Sequence, residues 1–231
     1  MLIGKEGVDI LSFSNVAVFG LGGVGSYTVE ALARAGVGSL ILTDFDTVSP
    51  SNINRQLHAM EDTVGMSKVE LMTERVKRIN PRAKVTGYGR RYTAGDREVF
   101  FAIRPDYVVD AIDDIEGKVD IIKHCLSEGI PVVSSMGAGN KMDPSLFREG
   151  DISKTSVCPL AREVRRRLRK EGIASGVKVV FSTEQPCSPK RNAGARPEKV
   201  VPASISFVPP VAGLIMAGVV VRDLIRWNGS V

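Results

Sequence analysis

The stretch VAVFGLGGVGS, residues 16–26, places four apolar residues directly before a glycine-rich turn and the start of an amphipathic segment. A short apolar run of this kind is typical of a buried strand, and apolar residues recur at helical spacing after the turn. Gly20 permits a tight turn, while Gly22 and Gly23 let backbone N–H groups approach phosphate oxygens. Gly25 lets the helix pack close to the strand. This spacing, in a strand–turn–helix context, predicts a nucleotide-binding unit.

The alternation of short apolar runs and longer amphipathic segments continues to about residue 137. The predicted strands are 16–19, 40–42, 84–87, 107–109 and 131–133, and the predicted helices are 23–36, 67–79, 96–103 and 116–128. Strands that alternate with helices favour a parallel sheet joined by crossover helices. The predicted fold class is therefore α/β, with a Rossmann-like, doubly wound and mostly parallel sheet.

The pattern loosens after Gly139 into a C-terminal extension. Here the sequence predicts helices at 159–170 and 211–226, strands at 177–182 and 204–207, and a loop rich in proline, glycine and charge from residue 185. No linker divides the chain. We expect one domain over 1–231, with a nucleotide-binding core at about 14–139 and a portion for substrate and subunit contacts at about 140–231.

Composition excludes several classes of protein. The 231 residues are 43% hydrophobic and 25% charged, which excludes a disordered or fibrous chain. The most apolar tail, 208–221, is too short to span a membrane, and the first residues carry no export signal. The three cysteines are too few and too widely spaced for a disulfide framework or paired CxxC zinc ligands. We therefore expect a cytoplasmic protein without zinc and without a membrane partner.

A polar loop follows the second predicted strand and separates this chain from ordinary dinucleotide enzymes. Asp44 comes about 20 residues after the glycines, where an acid can bind ribose hydroxyls. A hydride-transfer enzyme would then continue with a helix, but here a loop carries side-chain amides and Arg55. Arg55 and Lys68 together suit a triphosphate better than the pyrophosphate bridge of NAD. The run DAIDD, 110–114, ends the fourth predicted strand with carboxylates suited to Mg²⁺.

The segments GLGGVGS, LTDFDTVSPSNINRQ, VGMSK and VVDAIDD, in this order, resemble the ATP-dependent adenylating enzymes related to ubiquitin-activating enzymes. Bacterial members of that superfamily activate sulfur-carrier proteins for thiamine and molybdopterin synthesis. The segments GAGNKMDP, KVVFSTEQP and SISFVPPVAG, together with the absence of paired zinc cysteines, resemble its tRNA threonylcarbamoyladenosine dehydratase subgroup. The resemblance spans nearly the whole chain.

This resemblance implies ATP and Mg²⁺ as cofactors. The residues assigned to ATP by the resemblance are Gly20, Gly22, Gly23, Gly25, Asp44, Asn52, Asn54, Arg55, Gln56, Lys68, Asp113 and Asp114. Among them Arg55, Lys68 and Asp113 are expected to be catalytic. Lys68 would stabilise charge as pyrophosphate leaves, and Asp113 would hold Mg²⁺.

The implied reaction is the ATP-dependent dehydration, or cyclisation, of threonylcarbamoyladenosine in tRNA. A substrate carboxylate attacks the α-phosphorus, and the acyl-adenylate is lost as the modification closes on itself. The alternative is adenylation of the C-terminus of a ubiquitin-like sulfur carrier, since both activities use the same nucleotide motifs. A nucleotide-binding scaffold and an NAD-dependent dehydrogenase rank below these two.

Positive charge concentrates in the C-terminal third. The segment REVRRRLRK, 162–170, carries +5 and the segment 186–199 carries +3, so the rest of the chain carries −3. Such runs are often solvated surfaces, but they also suit a polyanion such as RNA. We expect Arg165, Arg166, Arg169, Lys190 and Arg191 to contact tRNA.

The remaining expectations concern partners and the cysteines. The apolar closing helix around Leu214, Ile215 and Val219 and the resemblance predict a homodimer, although the helix could instead complete the protomer's own core. Many relatives carry an N-terminal arm whose arginine reaches the partner's nucleotide, and the first residues, MLIGKEGVD, contain none. Cys187, in the basic loop, is either incidental or a nucleophile that receives the activated carboxyl group, as a cysteine does in ubiquitin-activating relatives. A cysteine desulfurase or sulfur-acceptor system is a further partner to consider. Cys125 is expected in the core.

Overall fold

The computed structural model describes residues 2–187 and 202–227. Its helices are α1 (Gly4–Phe13), α2 (Gly25–Ala35), α3 (Lys68–Ile79), α4 (Arg97–Phe100), α5 (Ile115–Ser127), α6 (Pro159–Lys170) and α7 (Val208–Leu224). Its strands are β1 (Asn15–Phe19), β2 (Ser39–Thr43), β3 (Lys84–Tyr88), β4 (Tyr107–Asp110), β5 (Val132–Ser135), β6 (Phe147–Asp151) and β7 (Lys178–Ser182).

The strands form one sheet in the order β3-β2-β1-β4-β5-β7-β6. All neighbouring pairs are parallel except β6 with β7, which is antiparallel at the edge. The chain order reverses between β1 and β4, and ligands of doubly wound sheets bind outside the carboxyl ends of the strands at such a point. The predicted Rossmann-like α/β fold is confirmed.

Helices cover both faces of the sheet, and the alternation of side chains along β1 shows how. Val16 and Val18 join a core cluster with residues of α2, α3 and α7. Ala17 and Phe19 point to the other face and join a cluster with residues of α5. Because both faces of β1 are covered, its sequence is a continuous apolar run rather than an alternating one.

The closing helix α7 packs mainly within its own protomer. A Cβ on Gly213 would lie 2.3 Å from the Val24 carbonyl oxygen, so only glycine allows α7 to lie this close to α2. Val219 is fully buried, Ile215 is half-buried, and Leu214 is 49% exposed. Most of the apolar surface of α7 therefore completes the core, and the predicted homodimer cannot rest on this helix alone.

The structure differs from the sequence predictions at four elements. Residues 204–207 form no strand. The Ser204 carbonyl accepts from the Asn54 side chain, and α7, with prolines in its first turn, begins at Val208. The helix expected at 96–103 is reduced to Arg97–Phe100. Strand β6 was missed because its sequence, FREGD, is polar, as an edge strand with an exposed face allows. The short helix α1 was also missed.

Within the described residues, no helix combines the length and the apolar character that a membrane crossing requires.

Candidate nucleotide-binding site

A cavity of about 530 Å³ opens at the carboxyl ends of β1, β2 and β4. It lies at the reversal point of the sheet, where the fold places ligands. Its lining residues are Gly20, Gly22, Gly23, Val24, Thr43, Asp44, Phe45, Asp46, Asn52, Arg55, Gln56, Lys68, Arg90, Arg91, Tyr92, Ala111, Ile112, Asp113, Asp114, Ala138, Ser204 and Pro209. Ten of the twelve residues that we assigned to ATP are in this set. The exceptions are Gly25 and Asn54.

The glycine-rich turn has the close contacts that its sequence predicts. Gly20 has φ +87°, in the left-handed region that favours glycine. A Cβ on Gly25 would lie 1.8 Å from the Gly20 carbonyl oxygen, so Gly25 is required for the turn itself. A Cβ on Gly22 would meet only the Gln56 amide nitrogen, at 3.9 Å. The bare backbone at Gly22 therefore faces the cavity, where a phosphate can approach.

Asp44, which directly follows β2, joins the turn to the next loop. One carboxylate oxygen accepts a hydrogen bond from the Leu21 N–H at 2.6 Å, and the other accepts from the Asp46 N–H at 2.8 Å. Burial raises the pKa of the Asp44 carboxyl, against the opposing effects of the Asp46 N–H and the Lys68 charge. Each oxygen keeps acceptor capacity, so Asp44 can hold the turn and still accept a ribose hydroxyl.

Arg55 and Gln56 reach the cavity from the loop that begins with the 3₁₀ turn Pro50–Asn52. The Arg55 Nη1 donates to the Ser51 carbonyl at 2.7 Å and to the Asn54 Oδ1 at 2.8 Å. The Gln56 side chain is buried, and its Oε1 has no hydrogen-bond partner among the residues that the structure describes. A buried polar atom without a partner costs free energy, so this amide is suited to a ligand.

Lys68 is the first residue of α3 and lies almost wholly inside the protein. Lys68 is 4% exposed, and its Nζ donates to the Asp46 carboxylate at 2.8 Å. Asp46 also lines the cavity and was not singled out from the sequence. An ammonium group held in this way beside a cavity can stabilise a phosphate that carries growing negative charge.

The carboxylates after β4 have separate roles. Asp110 is fully buried and accepts from the Lys118 Nζ at 2.8 Å and from the Ser134 hydroxyl at 2.6 Å. Asp114 caps α5 by accepting from the Gly117 N–H at 2.8 Å. The Asp113 side chain is exposed to the cavity. Of the carboxylates in the DAIDD run, Asp113 is therefore the one that is exposed at the cavity and has no hydrogen-bond partner among the described residues.

The far wall of the cavity was missed from the sequence. Arg90, Arg91 and Tyr92 follow β3, which adjoins β2, so they reach the same edge of the sheet. The Arg91 guanidinium lies 5.0 Å from the centroid of the Phe45 ring. The Tyr92 hydroxyl donates to Asp120 at 2.6 Å. Their position directly after a predicted strand indicated that they lie at the carboxyl ends of the strands. Only the strand order, with β3 beside β2, shows that they reach this cavity.

The basic helix α6 buries Ala161, Val164 and Leu168. Arg165 turns inward and donates to the carbonyl and hydroxyl of Thr155. The exposed cations on the opposite face, which we call the α6 ridge, are Arg162, Arg166, Arg169 and Lys170. Lys190 and Arg191 lie outside the described residues.

Neither the described cysteines nor the histidines form a metal group. Cys125 and Cys158 are buried, as expected for Cys125, and burial raises the pKa of the Cys125 thiol to about 12. Cys187 is exposed. His58 is 4% exposed, and in the described part of the chain neither of its ring nitrogens has a hydrogen-bond partner. Among the residues that the structure describes, no cluster of three or more His, Cys, Asp or Glu could hold a metal ion.

Comparison with known proteins shows the family to which the chain belongs. The ThiF family model matches residues 1–230, and the chain belongs to the ThiF family. Within that family the chain is similar to the proteins named tRNA threonylcarbamoyladenosine dehydratase. It is 49% identical to the Bacillus subtilis protein over 98% of this chain and 92% of that one. It is 39% identical to the Escherichia coli protein over 79% of this chain and 71% of that one.

The solved structures agree with this placement. The crystal structure of the E. coli tRNA N6-threonylcarbamoyladenosine dehydratase in complex with ATP matches with a TM-score of 0.88 and 33% identity, over 97% of this chain and 91% of that one. The E. coli molybdopterin-synthase adenylyltransferase is 36% identical over only 60% of this chain. The comparisons therefore favour the dehydratase over the sulfur-carrier alternative.

Proposed function

We propose that this chain catalyses the ATP-dependent cyclisation of N6-threonylcarbamoyladenosine in tRNA. The observation that carries this proposal is the joint placement of the glycine turn, Arg55, Lys68 and Asp113 around one cavity, in a chain similar over nearly its whole length to proteins named for that dehydration.

The chemistry requires activation of a carboxylate. A carboxylate oxygen of the substrate bonds to the α-phosphorus of ATP, and the bond from that phosphorus to the leaving pyrophosphate breaks. A nucleophilic atom of the same modification then bonds to the acyl carbon, and AMP leaves with the former carboxylate oxygen. The modified nucleoside has then lost the elements of water. For these two steps the protein positions the reacting groups and neutralises their charge, and it needs no nucleophile of its own.

The residues around the cavity divide this work. The backbone N–H groups of the turn at Gly22 and Gly23 would lie against phosphate oxygens, and Asp44 would accept a ribose hydroxyl. Arg55 would bind the triphosphate, and the buried Lys68 would stabilise the charge that develops as pyrophosphate leaves. Mg²⁺ in nucleotide sites is commonly held by one or two protein carboxylates together with the phosphates, and the exposed carboxylate of Asp113 would fit that role. When bound, the ion would neutralise phosphate charge.

The test is conversion of modified tRNA. The purified chain is incubated with ATP, Mg²⁺ and tRNA that carries threonylcarbamoyladenosine, and the nucleosides are analysed by mass. We expect a mass loss of one water in the wild type. Lys68→Ala should abolish most of the conversion, while Lys77→Ala, which changes an exposed lysine on the same helix, should not. Unchanged nucleoside, together with pyrophosphate exchange that depends on a carrier protein, would instead establish the alternative.

We also propose that the α6 ridge contacts the tRNA backbone. A Cβ on Gly137, just after β5, would lie 3.4 Å from the Cys158 Sγ, so α6 begins at the same edge of the sheet as the cavity. Arg162 belongs to this first turn. Four cations on one helical face suit a row of phosphates, which bind proteins without regard to sequence.

Neutralising the ridge should weaken tRNA binding and its dependence on salt. If each of the four side chains contacts one phosphate, changing all four to Gln should make the slope of log association constant against log salt concentration shallower by about 3. The matched control changes the exposed cations Lys77, Arg78, Arg82 and Lys84, which lie at the opposite edge of the sheet. Equal slopes for the two variants would locate the tRNA surface elsewhere. ATP affinity should not change in either variant.

We propose that the protein acts as a homodimer. The support is the family resemblance together with the exposed side of α7, where Leu214 is 49% exposed. Light scattering at micromolar concentration should give twice the protomer mass of 24.9 kDa. A mass equal to that of one protomer would refute the dimer.

A cysteine desulfurase partner would transfer sulfur to a cysteine of this chain, and Cys187 is exposed. A persulfide-specific label on Cys187 after incubation with a cysteine desulfurase and cysteine tests this directly.

A further inference from the structure

Asn54 lies next to Arg55, yet it does not line the cavity. Its Nδ2 donates to the Ser204 carbonyl oxygen at 2.8 Å, and its Oδ1 accepts from the Arg55 Nη1 at 2.8 Å. Both ends of the amide are therefore used within the protein. The side chain connects the cavity's arginine to a residue 150 positions further along the chain.

The contacts of Arg55 leave part of its guanidinium free. Nη1 is held by two acceptors, the Ser51 carbonyl and the Asn54 Oδ1. Among the described residues, Nε and Nη2 have no acceptor, and the side chain lines the cavity. Because a guanidinium is planar and rigid, fixing Nη1 also fixes the direction of the remaining donors. Those donors form the fork that binds a phosphate with two hydrogen bonds.

The other end of the connection is anchored at Asn140, in the loop that follows β5. The Ala203 N–H donates to the Asn140 Oδ1 at 2.8 Å, and the Asn140 N–H donates to the Ala203 carbonyl at 2.7 Å. Asn140 has φ +58°, a left-handed conformation that asparagine tolerates better than most residues. The Cys187 N–H also donates to the Asn140 carbonyl at 2.7 Å.

We propose that Asn54, Ser204 and Asn140 form a strap that aims Arg55 at the triphosphate and ties the phosphate-binding loop to the loop after β5. Asn54 and Asn140 are positioning residues, since neither lines the cavity. The proposal rests on the proposed function only in assigning Arg55 to the triphosphate. Without the strap, Arg55 would keep one acceptor among the described residues, the Ser51 carbonyl, and could rotate away from the phosphates.

ATP affinity of the full chain, measured by calorimetry without tRNA, tests the strap. Asn54→Ala should weaken ATP binding about tenfold, the effect of one hydrogen bond of ordinary strength. Asn140→Gly keeps the left-handed backbone but removes the acceptor, so it should also weaken binding, and Asn140→Asp should restore it. Asn80→Ala is the control, because its amide donates to the Val37 carbonyl at the opposite edge of the sheet. Unchanged affinity in Asn54→Ala would overturn the strap.

A double-mutant cycle separates positioning from general support of the fold. If Asn54 acts through Arg55, Asn54→Ala should cause no further loss of affinity in an Arg55→Ala background. Additive losses would overturn the proposal. The kcat/KM for ATP with modified tRNA should follow the same order of variants. A wild type that binds ATP but leaves modified tRNA unchanged would refute the proposed function and would leave the binding test of the strap decisive.

Discussion

The buried pair of Lys118 and Asp110 should be the most costly single polar contact to break in the described part of the chain. Both side chains are 0% exposed, and Nζ lies 2.8 Å from the Asp110 carboxylate, 3.0 Å from the Ser135 carbonyl and 3.3 Å from the Ser134 hydroxyl. Lys118→Met keeps most of the side-chain volume but leaves Asp110 without a cation. Removal of one partner from a buried pair costs about 3–5 kcal/mol.

This loss is large relative to the total stability of about 5–15 kcal/mol expected for a domain. Urea unfolding followed by circular dichroism measures it. With an m-value of about 3 kcal/mol per molar, the midpoint should fall by at least about 1 M. The control is Lys123→Met. Lys123 lies on α5, as Lys118 does, but its ion pair with Glu171 is exposed, so its removal should cost at most about 1 kcal/mol. Equal losses in the two variants would refute the reasoning.

The pH dependence gives an independent check. Burial raises the pKa of Asp110, and the charge and hydrogen bond of Lys118 oppose that rise. Without Lys118 the folded-state pKa should rise further above the unfolded value, so the folded protein binds a proton that the unfolded chain does not. Stability then increases as pH falls through that raised pKa. The deficit of Lys118→Met relative to wild type should therefore shrink from pH 8 to pH 5, and a constant deficit would contradict this account.

Two further predictions concern the glycine turn and His58. Gly25→Ala should lower both the melting temperature and ATP affinity, because its Cβ would overlap the Gly20 carbonyl at 1.8 Å, whereas Gly22→Ala should lower ATP affinity alone; equal melting losses would contradict this. Burial, with the charges of Lys68 and Arg75, lowers the pKa of His58 to about 4, so the unfolded chain binds the proton first as pH falls below 6.5. From pH 7.5 to pH 5 the free energy of unfolding of the wild type should fall by about 2 kcal/mol through this group, and that of His58→Leu should not. Urea midpoints at the two pH values measure the difference.

The sequence by itself determined the nucleotide-binding unit and the class of fold. Residues 16–26 carry a buried strand, a glycine turn and a helix start as local features, and local features can be read without knowing what they pack against. The same holds for the alternation of elements up to residue 137 and for Asp44 at the end of β2. Arg55 and Lys68 could be placed because they follow or begin predicted elements.

Only the tertiary structure decided how the polar residues divide their roles. The DAIDD run offers several carboxylates, but Asp110 points inward to Lys118 and Asp113 faces the cavity, which depends on how β4 packs. Arg91 enters the site because β3 adjoins β2, and strand order is a long-range property. Asn54 bonds to Ser204 rather than lining the cavity. These pairings join residues far apart in the chain, so no local pattern encodes them, and they form only when the sheet brings its strand ends together.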